Sequence, residues 1–267
     1  MIQIYNENCF ETMTRMWGNG EQVDIILTSP PYHTPNDDAS SYTQKRFKNY
    51  QNHYDVFTGW KSNEEYRKWS IDLFRAYDKV LKKDGVVLYN ISYTVNNTDC
   101  IYYVLTDIMS QTEFIIADCI SWKKNNALPM NMNSNRLTRV CEFIFVFCRK
   151  SEIDTFYMNK EKSGSKYKNL FFNFIEAPNN DILSPELNKL NNATFSSALV
   201  RELLRIYAKD DAVVYDSFMG TGTTAVACKS VGLDCIGSEL SQAQCELANK
   251  RLSGVAVLQN ANKRSLF

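Results

Sequence analysis

Four consecutive residues, Ser29, Pro30, Pro31 and Tyr32, put a hydroxyl, a carbonyl and an aromatic face into one stiff turn. Each proline fixes its own φ and pushes the residue before it toward extended geometry, so the neighbouring side chains are held in place. Ser29 Oγ and the Pro30 carbonyl can each accept one hydrogen of the same amine. An amine conjugated to an aromatic ring is a poor nucleophile because its lone pair is delocalised. Holding both hydrogens pushes that nitrogen toward sp³ and aims it at an incoming carbon, a positioning effect that is a large catalytic contribution. Tyr32 supplies a face on which the ring can stack. Hydride transfer would need none of these groups.

A second constellation lies near the other end of the chain. "GTGTTA", Gly220 to Ala225, is a G-x-G-x-x-A turn between a short apolar run and a helical stretch. Its glycines let a ligand approach the backbone, and a helix N-terminus there offers unpaired N–H groups. Glu239 falls at the end of the next apolar run, where an acid can accept both hydroxyls of a ribose. A dinucleotide ligand, an S-adenosylmethionine ligand and a plain tight turn all suit this pattern, the plain turn least well given the strand, helix and acid around it. A Walker A loop is excluded, because no lysine follows the second glycine.

Both turns need strands to carry them. Val23, Ile25, Ile26 and Leu27 read as a buried strand that ends at the proline turn, and "MIQIYNENCF" reads as a short opening strand followed by a connection to it. Apolar residues from Trp69 to Leu81 recur at helical spacing, with Gly85 as the expected C-cap. "VVLYNI", "FIIADCISW" and "EFIFVFC" read as strands, with a helix around 97–110. Residues 33–60 form a long polar loop of the kind that carries function. Residues 151–192, rich in Asn and Lys with an apolar island "LFFNFI", read as an insertion or small subdomain. A helix striped by Leu199, Leu203, Leu204 and Tyr207 follows. After "AVVYD" and the glycine turn comes a helix capped by Gly232, then "LDCIGSEL", then a helix opened by Ser241 and Gln244 and closed by Gly254. The alternation predicts an α/β fold, a mostly parallel sheet with helices on both faces. The expected organisation is a catalytic half, 1–150, an insertion, 151–192, and a second half of the same domain, 193–267.

The motifs together resemble the amino-methyltransferases of DNA that carry (D/N/S)-P-P-(Y/F/W). The order is that of the permuted, beta-class group, with "TSPPY" first and "DSFMGTGTT" last. The group's usual D-P-F-x-G-S-G-T-T is matched at Asp216, Phe218, Gly220, Gly222, Thr223 and Thr224, with Ser217 for Pro and Thr221 for Ser. "CISWKKNNALP" and "RLTRVCEFIFVF" are similar to the group's W-x-K…P segment and its Arg-Thr-Arg…Glu strand. The resemblance implies a Rossmann-like S-adenosylmethionine-dependent methyltransferase fold. It implies that Asp216, Phe218, Gly220, Gly222 and Thr223 cradle the cofactor, that Glu239 holds its ribose, and that Thr28 borders it. Thr194 and Phe195 match the region at the methionine end, although the group's His-Pro is missing there. Asn8 and Cys9 stand where the group has Asp-Cys, and the Asn8 amide oxygen can accept from the adenine amine. Catalysis falls to Ser29, Pro30, Pro31 and Tyr32. Ser29 in the first motif position leans toward cytosine-N4, with adenine-N6 as the alternative.

Composition bounds the rest. The chain has 267 residues, 44% of them hydrophobic, and zero net charge. No apolar run reaches the roughly 20 residues of a membrane span, and the N-terminus lacks a signal peptide's pattern, so a cytoplasmic setting is expected. The 8 cysteines make no CxxC and no Pro-Cys pair, which argues for reduced core thiols, against a metal site, and against methylation at cytosine carbon 5. Double-stranded DNA is the expected partner. Lys45, Arg46 and Lys48, in a basic stretch just after the proline turn, are candidate phosphate contacts. Lys166 and Lys168 in the insertion, with Lys123, Arg136 and Arg139, complete the DNA-facing set, Glu142 being the alternative partner for the two arginines. A restriction–modification or phage origin is compatible with a cognate restriction endonuclease and with a homodimer. The rivals are a methyltransferase acting on RNA or on a protein glutamine, and a non-catalytic nucleic-acid-binding module.

Overall fold

In the computed structural model, the described residues are 1–33, 60–93, 97–125, 135, 137–160, 162–163, 166–167, 171–181 and 195–255. The chain runs β1 (Ile2–Tyr5), α1 (Cys9–Gly18), β2 (Val23–Thr28), α2 (Asn63–Val80), β3 (Leu81–Asn90), α3 (Cys100–Gln111), β4 (Phe114–Lys124) and β5 (Cys141–Arg149). A 3₁₀ turn (Lys150–Glu152) and a small hairpin, β6 (Lys162–Ser163) with β7 (Lys166–Tyr167), lead to β8 (Phe174–Ala177). The last part is α4 (Ser197–Tyr207), β9 (Val213–Asp216), α5 (Thr223–Ser230), β10 (Asp234–Ser238) and α6 (Gln242–Ser253).

Eight strands form one sheet in the order β1-β10-β9-β2-β3-β5-β4-β8. Only β5 runs against its neighbours, β3 and β4. Alternate residues of a strand face opposite sides, and each side is covered by its own helices. Ile25, Leu27, Val86 and Leu88 pack with Leu199, Leu203, Ala227 and Leu252 from α4, α5 and α6. Ile26, Val87 and Tyr89 pack with Met13, Met16, Leu73, Phe74 and Ile108 from α1, α2 and α3. The helices from the first half of the chain therefore cover one face, and those from the last part cover the other. No helix among the described residues is long and apolar enough to cross a membrane.

Three expectations change. The stretch after β1 is a helix, α1, capped by the Asn8 side chain. Gly85 does not end α2. That helix stops at Val80, and Leu81 already pairs with Val23 in β3. The ladder resumes at Ile25 and Val86, so residues 82–85 bulge, and Asp84 adopts a positive φ of 60°. A Cβ on Gly85 would lie 2.8 Å from the Asp24 carbonyl, which is why glycine stands in the bulge. Finally, the insertion is not wholly separate, because its Phe174–Ala177 segment joins the main sheet beside β4.

Candidate active site

β9 continues to β10 on one side of the sheet, and β2 continues to β3 on the other. The strand order therefore reverses between β9 and β2, and in such sheets the ligand crevice lies at that point, beyond the carboxyl ends of the strands. Ser29 and Tyr32 leave the end of β2, whose 6 residues are all buried. Pro30 and Pro31 are buried, while Ser29 and Tyr32 stay half-buried at the surface of the crevice. The Tyr32 hydroxyl makes a long contact, 3.4 Å, to the Asn90 carbonyl at the end of β3. Asn90 is itself fixed by donating to the Phe143 carbonyl at 3.1 Å.

The glycine turn leaves the adjacent strand, β9. Gly220 and Gly222 have φ of 53° and 84°, a region costly for side-chain-bearing residues. Gly222 caps α5 and lies where a Cβ would come within 2.6 Å of the Ala248 Cβ on α6. Glu239 braces the turn from the end of β10, since Oε2 accepts from the Gly220 N–H and Oε1 from the Ser241 N–H, both at 2.8 Å. A carboxylate accepts through both oxygens, and these bonds fix its orientation. Asn6 donates to the Glu239 and Leu240 carbonyls, each at 2.9 Å, and ties the end of β1 to the same corner. Phe218 is half-buried beside Trp69, with ring centroids 5.7 Å apart.

Two cofactor candidates turn inward. Thr28 is 0% exposed and Asp216 1% exposed. Asp216 accepts from Thr28 Oγ1 at 2.7 Å, Thr224 Oγ1 at 2.5 Å and the Phe218 N–H at 3.0 Å. Burial pushes its carboxyl up from the ordinary range, and those donors oppose the shift. Both side chains thus shape the crevice from beneath it and do not line it. Asn8 Oδ1 accepts from the Phe10 N–H at 3.0 Å as the cap of α1, and Cys9 is buried with its thiol pushed up to about 12 by desolvation. Phe195 is buried in the core under α4. Thr223 is buried, and its hydroxyl accepts from Arg251 at 3.2 Å.

The DNA-facing set is scattered. Lys123 is ion-paired with Glu176 across β4 and β8. Arg139 lies over the Tyr93 ring, 4.8 Å from its centroid, and donates to the Tyr93 carbonyl. Glu142 pairs with Lys124 at 2.5 Å, an unexpected partner. Lys166 stands in β7, a short strand of the hairpin. Lys45, Arg46, Lys48, Arg136, Lys168 and Thr194 lie outside the described residues.

Sequence reasoning missed Arg251. Its side chain is 8% exposed and donates to the Thr221 carbonyl at 2.7 Å and to Asp181 at 2.7 Å. Asp181 also accepts the Ser197 N–H at 2.8 Å, so one guanidinium joins the glycine turn to the N-terminus of α4. Asn97 was missed as well. It donates to the His33 carbonyl at 3.3 Å and exchanges hydrogen bonds with Asn63, holding the end of the proline turn against α2.

Residues 23–250 match the DNA methylase family of N6 and N4 methyltransferases. The chain belongs to that family. Among relatives, the methylase is 24% identical to the type II methyltransferase M.HinfI of Haemophilus influenzae, over 93% of this chain and 67% of that one. It is 24% identical to M2.DpnII of Streptococcus pneumoniae, over 94% of this chain and 89% of the other. Among solved structures, the cytosine-N4-specific PvuII DNA methyltransferase superposes with a TM-score of 0.69 at 16% identity, covering 99% of this chain and 89% of that chain. The complex of M1.HpyAVI with S-adenosylmethionine gives 0.61 at 24% identity, covering 94% and 100%. The methylase's crevice suits that cofactor. Two glycines at positive φ, a half-buried aromatic ring and an oriented carboxylate converge at the ends of β9 and β10.

Proposed function

We propose that the chain methylates the exocyclic amine of a DNA base turned out of the helix, with cytosine N4 as the target. The observation that carries the reading is the Ser-Pro-Pro-Tyr turn and the glycine turn leaving adjacent strands at the switch point. S-adenosylmethionine, when bound, supplies a sulfonium-activated methyl group. Glu239 and the glycine turn would hold its ribose and backbone-facing side. Ser29 Oγ and the Pro30 carbonyl accept the two amino hydrogens of the base and direct its nitrogen lone pair. Tyr32, anchored toward Asn90, stacks on the base, an interaction worth roughly 1–3 kcal/mol in single-stranded recognition. Buried Pro30 and Pro31 keep the two acceptors in one geometry, so little reorganisation is needed at the moment of transfer. The methylated nitrogen, cationic after transfer, releases one proton to water, so no strong base is required beside it.

The preference for cytosine rests on Ser29 in the first motif position and on the resemblance of the motif to that of the cytosine-N4 enzymes. Lys45, Arg46 and Lys48 are assigned to phosphates, and the 151–192 segment to choosing the site. Nucleoside mass spectrometry of DNA from an expressing host decides the product. A 4-methylcytosine peak supports the proposal. A 6-methyladenine peak would replace the base and leave the turn's role intact, whereas neither product would defeat the reading.

A further inference from the structure

The backbone ladder between β2 and β9 is short. It pairs Ile25 with Val214 and Ile26 with Tyr215 and goes no further toward the crevice. Continuing that register by two residues sets Thr28 opposite Ser217, and there the side chains take over. Ser217 Oγ donates to Thr28 Oγ1 at 3.2 Å, and Thr28 Oγ1 donates to Asp216 Oδ1 at 2.7 Å. Because the Ser217 hydrogen is committed to Thr28, the 2.6 Å contact between Tyr77 and Ser217 has the tyrosine as donor. The chain of hydroxyls thus points one way, from α2 to the carboxylate. Every member is at most 2% exposed. Bonds aligned in this manner polarise one another, and in a buried setting each is costly to leave unmade.

We propose that this relay, Tyr77–Ser217–Thr28–Asp216, is the floor of the crevice and sets the distance between the two reacting groups. Thr28 directly precedes Ser29, which grips the amine, and Asp216 and Ser217 directly precede the turn that holds the methyl donor. The inference rests on the proposed function. These are positioning residues, because none of them is exposed to a ligand. Ser217 is also where the sequence departs from the related motif's proline, which has no hydroxyl to donate.

The test uses the full chain, tritiated S-adenosylmethionine and unmethylated plasmid DNA. Thr28→Val keeps the shape and removes both hydrogen bonds, and Ser217→Ala cuts the relay at its centre. Each is expected to lower the single-turnover rate at least tenfold while the calorimetric affinity for S-adenosylmethionine changes less than threefold. Thr28→Ser should recover the rate to within threefold of the parent. Adding Tyr77→Phe to Ser217→Ala should cost nothing more. A parental rate in Thr28→Val would overturn the proposal, as would a loss of cofactor affinity equal to the loss of rate, or no rescue by serine. If the parent itself transfers no label, the functional reading fails separately. Hydrogen exchange then decides the relay, since Thr28→Val must loosen residues 28–33 and 216–222 together. Loosening at one end alone overturns it.

Discussion

Ser29 and Glu239 do different work, and single substitutions separate them. Ser29→Ala removes the proposed acceptor for the reacting amine and should lower turnover far more than the affinity for DNA or cofactor, read by comparing kcat with both dissociation constants. Glu239→Ala removes the brace on the Gly220 N–H together with the proposed ribose acceptor. Loss of hydrogen bonds to a charged group costs roughly 1.5–3 kcal/mol, so cofactor affinity should fall about tenfold or more by calorimetry. Unchanged affinity would take Glu239 out of the site. His33, next to Tyr32, adds a pH dependence. It is buried against Trp60 and Tyr66, and burial holds its imidazole below the ordinary value. The unfolded chain therefore takes up that proton first as pH falls. His33's share of stability is complete above about pH 6.5 and is lost as pH drops through the folded value. Between pH 7 and 5.5 the parent's Tm should fall more than that of His33→Phe.

At the scale of elements, the glycine turn and its neighbours are where small changes cost most. Gly222→Ala meets both the positive φ and the Ala248 contact. A left-handed residue costs about 1–2 kcal/mol and overpacking about 1–3 more, so its chemical-denaturation midpoint should drop clearly. Gly18→Ala has nothing within 4 Å of the new Cβ and should leave that midpoint unchanged or raise it. Arg251→Met would leave Asp181 without its guanidinium, at a cost of about 3 kcal/mol for a largely buried pair. Much of this was legible in the sequence. The strands, the glycine turn and the helix from Ser241 announce themselves by apolar runs and caps. α1 was not legible, because its apolar stripe is carried by Cys9, Met13 and Met16 among threonines and charges. "KKDG" imitates a helix end, and only the pairing of Leu81 with Val23 shows that the strand has already begun. Arg251 reads as one more basic residue in a last helical turn. What makes it structural is Asp181, 70 positions earlier, a distance that local pattern cannot reach.

For the molecule as a whole, the thiols report on the packing. Cys9, Cys100, Cys148, Cys228, Cys235 and Cys245 are buried, and Cys119 and Cys141 are partly accessible. Desolvation pushes Cys148 and Cys245 up to about 11, far from the thiolate form that alkylating reagents need. In the native state, iodoacetamide should label Cys141 readily, Cys119 more slowly because burial raises its thiol, and spare the buried thiols, as read by peptide mass spectrometry. Early labelling of Cys228 or Cys235 would contradict the core beneath α5.

The strand order has a consequence for how the chain is made. β2 sits between β3 and β9, and β1 touches the sheet only through β10. Thr28 and Asp216, which meet beneath the finished crevice, are 188 residues apart in sequence. At roughly 5–20 residues per second of synthesis, β2 waits on the order of ten to forty seconds on the ribosome with one edge bare. An edge of unpaired N–H and C=O groups is a template for pairing with other chains. Nascent chains halted before residue 213 should therefore recruit chaperones and be nicked by added protease within the first 33 residues. Chains halted after residue 255, once clear of the exit tunnel, should resist.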